Sequence, residues 1–208
     1  MRSLHISPAT HKYEPRLQHL MRLTITRHGH TEGNAAGIIQ GHSPGKLTDV
    51  GKEQARRLGE RLASERFDVI LTSDLARAQD TAREVAKHHP GTPVVLDMSL
   101  RERDFGAWEG EGKNGKDWSA VPPGGESNPQ LYARAQALLA KLRKDYASKH
   151  VLLVGHSRIN VAIMAALRKE GHERLPAKAG YENTSVTIVD LSAGAPRVLV
   201  ENCTLHLE

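Results

Sequence analysis

Cysteine is almost absent from this chain. Cys203 stands alone, so no disulfide can form within it. That excludes the stapled framework of small secreted domains and fits a reducing, cytoplasmic compartment. Cys203 itself is expected to be a small core or edge residue. Aromatic residues are scarce at 4%, so aliphatic side chains must fill most of the interior. No apolar run approaches the roughly 20 residues that a membrane-spanning helix requires. Nor is there a dense basic cluster interleaved with aromatics, the footprint of a nucleic-acid binder. Neither a membrane nor a nucleic-acid partner is expected. Residues 1–20 contain His5, Pro8, His11, Pro15 and His19 but no apolar h-region, so they do not read as a signal peptide.

What is present suits an ordinary globular protein. The 208 residues are 38% hydrophobic and 25% charged, enough for one domain with a real core. We expect a flexible extension over 1–20 and a single domain over 21–208. The net charge of +5 is spread along the chain and suits a small anionic substrate. A homodimer is compatible with the same features.

Strand-like and helix-like segments alternate. Leu23–Thr26 and Val69–Thr72 read as buried strands, and Val94–Leu96 and Val151–Val154 as further strands. Thr48 is placed to cap a helix over Val50–Ala63 with an apolar face of Ala55, Leu58 and Leu62. Ser73 or Asp74 is expected to cap a second helix ending near Lys87. Helical spacing of Leu131, Ala135, Leu138, Leu139 and Leu142 predicts a helix over Pro129–Ser148, and another follows over Ile159–Lys169. Thr184–Leu191 and Val198–Asn202 read as the last two strands, joined by a turn at Ala193-Gly194. The expected fold is α/β, in three layers. A mostly parallel central sheet with one antiparallel strand carries helices on both faces. A charged, Gly-rich stretch from Glu109 to Glu126 reads as an excursion over one end of the sheet, with little packing of its own.

Three of these strands end in chemically loaded residues: Arg27-His28-Gly29, Ser73-Asp74-Leu75-Ala76-Arg77 and Gly155-His156-Ser157. In a parallel sheet their carboxyl ends share one rim, where function gathers. Two imidazoles and two guanidiniums would then face one pocket, an arrangement that is costly unless an anion occupies it. Neutral imidazole is a nucleophile near pH 7, and guanidinium clamps phosphate oxygens. A further segment, Leu100-Arg101-Glu102-Arg103-Asp104-Phe105-Gly106-Ala107-Trp108-Glu109-Gly110, supplies carboxylates. A carboxyl group beside a phosphate dianion can stay protonated and act as a general acid.

Five motifs occur in order: Arg-His-Gly-x-Thr-x-x-Asn, Thr-Ser-Asp-Leu-x-Arg-Ala-x-x-Thr-Ala, Leu-Arg-Glu-x-x-x-Gly-x-x-Glu-Gly, Pro-Gly-Gly-Glu-Ser and Val-Gly-His. Together they resemble the histidine phosphatase superfamily, over roughly Leu23 to Leu207. The resemblance implies a phosphomonoester hydrolase working through a phosphohistidine on small phosphorylated metabolites. His28 would be the nucleophile. Arg27, Arg77 and His156 would hold the phosphoryl oxygens, and Glu102 would be the acid and base. Asn34, Gln40, Gly41 and Ser157 would line the substrate site. No metal or other cofactor is implied, since fixed cations take that part. The pattern is closer to fructose-2,6-bisphosphatase-like and broad-specificity members than to mutases. The stretch between Glu102 and Pro122 is short and poor in arginine, where mutases usually carry a longer basic insertion. A phosphoglycerate mutase is the alternative. A non-catalytic scaffold would be expected to lack His28 or Glu102.

Two positions depart from the family pattern. Ser157-Arg158 replaces the usual Gly-Gly, which bears on substrate preference, and His30 stands where an acid is common. Asp104 and Glu109 compete with Glu102 for the acid role, and the family pattern favours Glu102. His28 and His30 at a spacing of two could form a metal pair, but no supporting ligand cluster accompanies them. His42 and His150 are expected at the surface, and His88-His89 as a solvated helix end. The loops around Glu111–Val121 and Arg168–Tyr181 are expected to set specificity.

Overall fold

The computed structural model describes residues 21–118, 120–175, 180–192 and 195–208. The expected extension over 1–20 and the turn at Ala193-Gly194 lie outside these. In chain order the elements are β1 (Arg22–Arg27), α1 (Glu32–Ala35), α2 (Asp49–Leu62), β2 (Val69–Thr72), α3 (Ala76–Ala86), β3 (Val94–Leu96), α4 (Asn128–Asp145), β4 (His150–Gly155), α5 (Ser157–Leu167), β5 (Val186–Asp190) and β6 (Arg197–Cys203). The strands form one six-stranded sheet in the order β3-β2-β4-β1-β5-β6. β1, β2, β3 and β4 run parallel, and β5 is antiparallel to both neighbours. This is the expected mostly parallel sheet with one reversed strand. Among the described residues no helix is long and apolar enough to cross a membrane.

Strand periodicity builds two cores. Leu23, Ile25, Val69, Leu71, Val151 and Leu153 face α4 and α5. Ile70, Leu152, Val154, Val186 and Ile188 face the other way, against Leu58 and Leu62 of α2 and Ala78, Ala82 and Val85 of α3. The sheet is therefore covered on both faces, as its continuous apolar strands require. β3 is one edge of the sheet, and Val94, Val95 and Leu96 are all exposed.

Helix boundaries follow their caps. Thr48 accepts from the Gly51 amide and starts α2. Ser127 and Gln130 form a reciprocal capping box at α4. α3 departs from expectation: Leu75 is its N-cap and has no side-chain cap bond. Ser73 instead accepts from the Leu75 amide, and Asp74 is taken by Arg101 at 2.7 Å. α4 stops at Asp145 rather than Ser148, whose φ of 63° is not helical. α5 starts and stops two residues early, at Ser157 and Leu167.

The excursion over Glu109–Glu126 packs better than its composition suggested. Trp118 makes edge contacts with Phe105 and Trp108, at 5.9 and 6.3 Å between centroids. Two other expectations fail because an aromatic partner was invisible in the sequence. His89 is buried and His150 half-buried, both against Phe67, and His150 is hydrogen-bonded to Thr24 Oγ1.

The rim is held close to α2 by glycine. A Cβ on Gly29 would lie 2.4 Å from the Gly51 carbonyl oxygen, and one on Gly51 only 1.9 Å from that of His30. Helix propensity alone favours Gly51→Ala by up to about 1 kcal/mol. We expect the reverse sign, a loss of about 1–3 kcal/mol from backbone displacement, read as a lower urea midpoint.

Candidate active site

Parallel β1, β2 and β4 deliver their carboxyl ends side by side, with Arg27 paired in register to Gly155 and Thr72 to Val154. His28 and His156 follow directly on β1 and β4. Their ring centroids are 4.9 Å apart in an edge arrangement. Arg77 arrives from the first turn of α3 and is almost wholly buried. A cleft of about 500 Å³ opens beside them. It is lined by Arg27, His28, Asn34, Gln40, Gly41 and Arg77, and across it by Glu102 and Ser157. Of the residues singled out in the sequence, only His156 is not on the cleft surface. It lies fully buried beside His28.

The tautomer of His28 follows from its bonds. Nδ1 lies 2.8 Å from the Gly29 carbonyl oxygen, an acceptor only, so Nδ1 carries the hydrogen. Nε2 accepts from Arg77 Nε at 3.3 Å. The Nε2 lone pair is thus directed at the guanidinium edge that an anion would occupy. Burial, then Arg77 and Arg27, hold the His28 imidazole well below its ordinary pKa of 6.5. Burial, then Arg77 and His28, do the same for His156. Neither ring nitrogen of His156 has a hydrogen-bond partner among the described residues. Buried polar atoms are rarely left so without a ligand.

The guanidiniums are held by carbonyls instead of carboxylates. Arg77 donates to the Gly41 and Ser43 carbonyl oxygens at 2.7 and 2.9 Å, and Arg27 to that of Tyr181 at 2.7 Å. Among the described residues neither forms an ion pair. Burial is the main cause that lowers both, Arg77 to about 10.

Three carboxylates of the Glu102 segment have distinct surroundings. Glu109 accepts from the His42 and Ser43 amides and the Ser43 hydroxyl, and so fixes the loop whose carbonyls grip Arg77. Asp104 accepts from the Gly106 amide. Only Glu102 lines the cleft. Its Oε1 accepts from the Arg103 and Arg158 amides, both at 2.9 Å, leaving Oε2 as the oxygen that can carry a proton.

Asn34 does two things. It lines the cleft, and its Oδ1 accepts from the Thr31 amide in the capping box of α1. Gln40 Oε1 is buried without a partner among the described residues. The expected specificity loops contribute Lys113, Lys116, Trp118 and Tyr181 to the lining. Three supporting residues escaped the sequence analysis. His42 is half-buried, and its Nε2 meets the Glu102 carbonyl oxygen at 2.8 Å. Asn183 donates to the His28 carbonyl oxygen at 2.8 Å. Thr81, in the Arg-Ala-x-x-Thr motif, accepts from the Gly29 amide at 3.0 Å. Only Thr81 had a sequence signal, its place in that motif. No group of three or more metal-ligating side chains occurs among the described residues.

The fold and rim define a class: α/β proteins that set two imidazoles and two guanidiniums around one cleft. Within it, this chain belongs to the histidine phosphatase superfamily (branch 1), whose profile matches residues 23–204. It is 34% identical over 161 residues to the adenosylcobalamin/alpha-ribazole phosphatase of Escherichia coli, covering 71% of this chain and 79% of that one. It is 36% identical over 186 residues to the metal-independent phosphoserine phosphatase of Arabidopsis thaliana, covering 81% and 76%. Among solved structures, Bacillus stearothermophilus YhfR superposes with a TM-score of 0.83 at 31% identity, covering 90% of this chain and 100% of that one.

The depressed imidazoles have a consequence for stability. Unfolded, His28 and His156 take up protons near their ordinary 6.5; folded, they do not. The unfolded state therefore binds more protons below that pH, and the stability present above it is lost on acidification. Each ring contributes a slope of up to about 1.4 kcal/mol per pH unit. Urea midpoints compared at about pH 7.5 and 5.5 should drop in the wild type and drop less in His156→Asn.

Proposed function

We propose that this protein is a metal-independent phosphomonoester hydrolase that forms a phosphohistidine at His28 and acts on small phosphorylated metabolites. One observation carries the proposal: two buried imidazoles, held neutral well below their ordinary pKa, adjoin two guanidiniums that form no ion pair among the described residues. Such a set is costly unless an anion occupies it, and it presents a neutral imidazole nitrogen as nucleophile. The phosphatase relatives of Escherichia coli and Arabidopsis thaliana support the same chemistry.

His28 Nε2 attacks phosphorus in line with the ester oxygen. Arg27, Arg77 and His156 stabilise the charge on the equatorial oxygens. As the P–O bond breaks, Glu102 Oε2 gives its proton to the leaving oxygen, and the alcohol departs. Glu102, now a carboxylate, takes a proton from water. The water oxygen attacks phosphorus, the P–N bond breaks and inorganic phosphate is released. His28 returns to the neutral form, its Nδ1 hydrogen held throughout by the Gly29 carbonyl. Asn34, Gln40, Gly41 and Ser157 border the substrate.

Hydrolysis of p-nitrophenyl phosphate in EDTA tests the reading. The wild type should turn over and His28→Ala should lose at least about 1,000-fold. An acid-labile phosphoenzyme should be trapped with the wild type and absent from His28→Ala. Retained turnover in His28→Ala sinks the assignment. The pH profile is a second check. Because burial, Arg77 and Arg27 hold His28 neutral well below 6.5, kcat/KM should persist from about pH 7 down to about 5.5. A steep loss between about pH 7 and 6 contradicts the role given to His28.

A further inference from the structure

The loop that grips Arg77 meets the acid at one side chain that the reaction steps leave unused. His42 lies between Gly41 and Ser43, whose carbonyl oxygens hold Arg77 at 2.7 and 2.9 Å. Glu109 anchors this loop separately, accepting from the His42 and Ser43 amides at 2.8 and 2.9 Å. The loop is thus a fixed base for the imidazole that projects from it. That imidazole borders a separate hollow of about 290 Å³, beside Asp104 and Gln130, instead of the substrate cleft. Its Nδ1 lies 3.9 Å from Asp104 Oδ2, too far for a hydrogen bond. Its Nε2 lies 2.8 Å from the Glu102 carbonyl oxygen. A carbonyl oxygen only accepts, so Nε2 carries the hydrogen and donates.

This bond falls on the peptide that aims the acid. The Glu102 carbonyl and the Arg103 amide belong to one planar trans unit and point in opposite directions. The Arg103 amide donates to Glu102 Oε1 at 2.9 Å. Turning that peptide swings the donor that fixes Oε1, and Oε2, the oxygen left for the proton, moves with it. Hydrogen bonds in series polarise one another, so a donor on the carbonyl also strengthens the amide. Arg134 reaches the same carbonyl from α4 at 3.2 Å, and holds the Ser99 and Arg101 carbonyl oxygens as well. Arg134 thus ties the segment to its helix, while His42 sets the acid's own peptide against the loop that grips Arg77. A misplacement of about 1 Å between reacting groups can cost about 100-fold in rate.

We infer that His42 is a positioning residue for the general acid, aiming the Glu102 carboxyl group at the leaving oxygen through the peptide between Glu102 and Arg103; this rests on the phosphohistidine reading above and adds the group that sets the geometry of proton transfer.

Two esters of similar shape test it. p-Nitrophenolate leaves with little need of a proton, whereas phenolate needs one. The wild type should hydrolyse both phenyl phosphate and p-nitrophenyl phosphate. His42→Ala should lose at least about tenfold in kcat/KM on phenyl phosphate, and the loss on p-nitrophenyl phosphate should be smaller by at least about fivefold. His42→Gln, whose amide nitrogen reaches the place of Nε2, should return phenyl phosphate hydrolysis to within about threefold of the wild type. Should His42→Ala lose its cooperative thermal transition, His42→Asn, too short to reach the Glu102 carbonyl, takes its place. A difference between the two losses below about fivefold, or no such recovery in His42→Gln, overturns the inference. Glu102→Gln separates the two ways of failing. If it shows the selective loss and His42→Ala does not, only the role of His42 falls. If Glu102→Gln loses both esters equally, or the wild type hydrolyses p-nitrophenyl phosphate alone, the acid assignment in the phosphohistidine reading falls with it.

Discussion

The structure turns on a concentration of positive charge. Arg27 and Arg77 are brought to one rim and bonded to carbonyl oxygens, with no ion pair to either among the described residues. Carbonyl dipoles orient a guanidinium but leave its net charge available. Burial, and then that charge, keep His28 and His156 neutral, and neutrality makes an imidazole nucleophilic. The same charge would stabilise the transferred phosphoryl group. Stability is given up for this, because burying cations and imidazoles is costly in an empty site.

Supporting contacts exist to keep that geometry. Glu109 holds the loop amides of His42 and Ser43, and the loop's carbonyls hold Arg77. Gly41 makes this possible: its φ is +49°, and a Cβ there would lie 1.9 Å from Glu109 Oε1. On the other side Thr81 accepts from the Gly29 amide and orients the peptide whose carbonyl fixes the His28 tautomer. Thr81 in turn donates to the Arg77 carbonyl oxygen, so nucleophile and clamp share one backbone framework. Positioned groups of this kind need little reorganisation when charge develops.

The fold was largely legible from residue order because its strands are short, apolar and separated by capped helices. Val69–Thr72 matched to the residue, and Thr48 marked a helix start through ordinary capping chemistry. Ser73 and Asp74 misled because both were engaged by other partners, the Leu75 amide and Arg101. His89 and His150 misled because Phe67, far off in the chain from His150, supplies the surface that buries them. β3 was legible as a strand, but apolar content cannot distinguish an edge from a centre.

The sequence by itself determined the alternation of strands and helices, the identity of the reactive side chains and their family. These depend on periodicity, capping residues and motif order, all local properties of the chain. Tertiary structure alone decided which carboxylate of the segment 102–109 faces the cleft, which nitrogen of His28 is free, and where Arg158 stands. Those depend on contacts between residues distant in the chain, such as the Arg158 amide with Glu102 and Arg77 with His28. No local pattern encodes a hydrogen bond whose donor and acceptor lie on different elements.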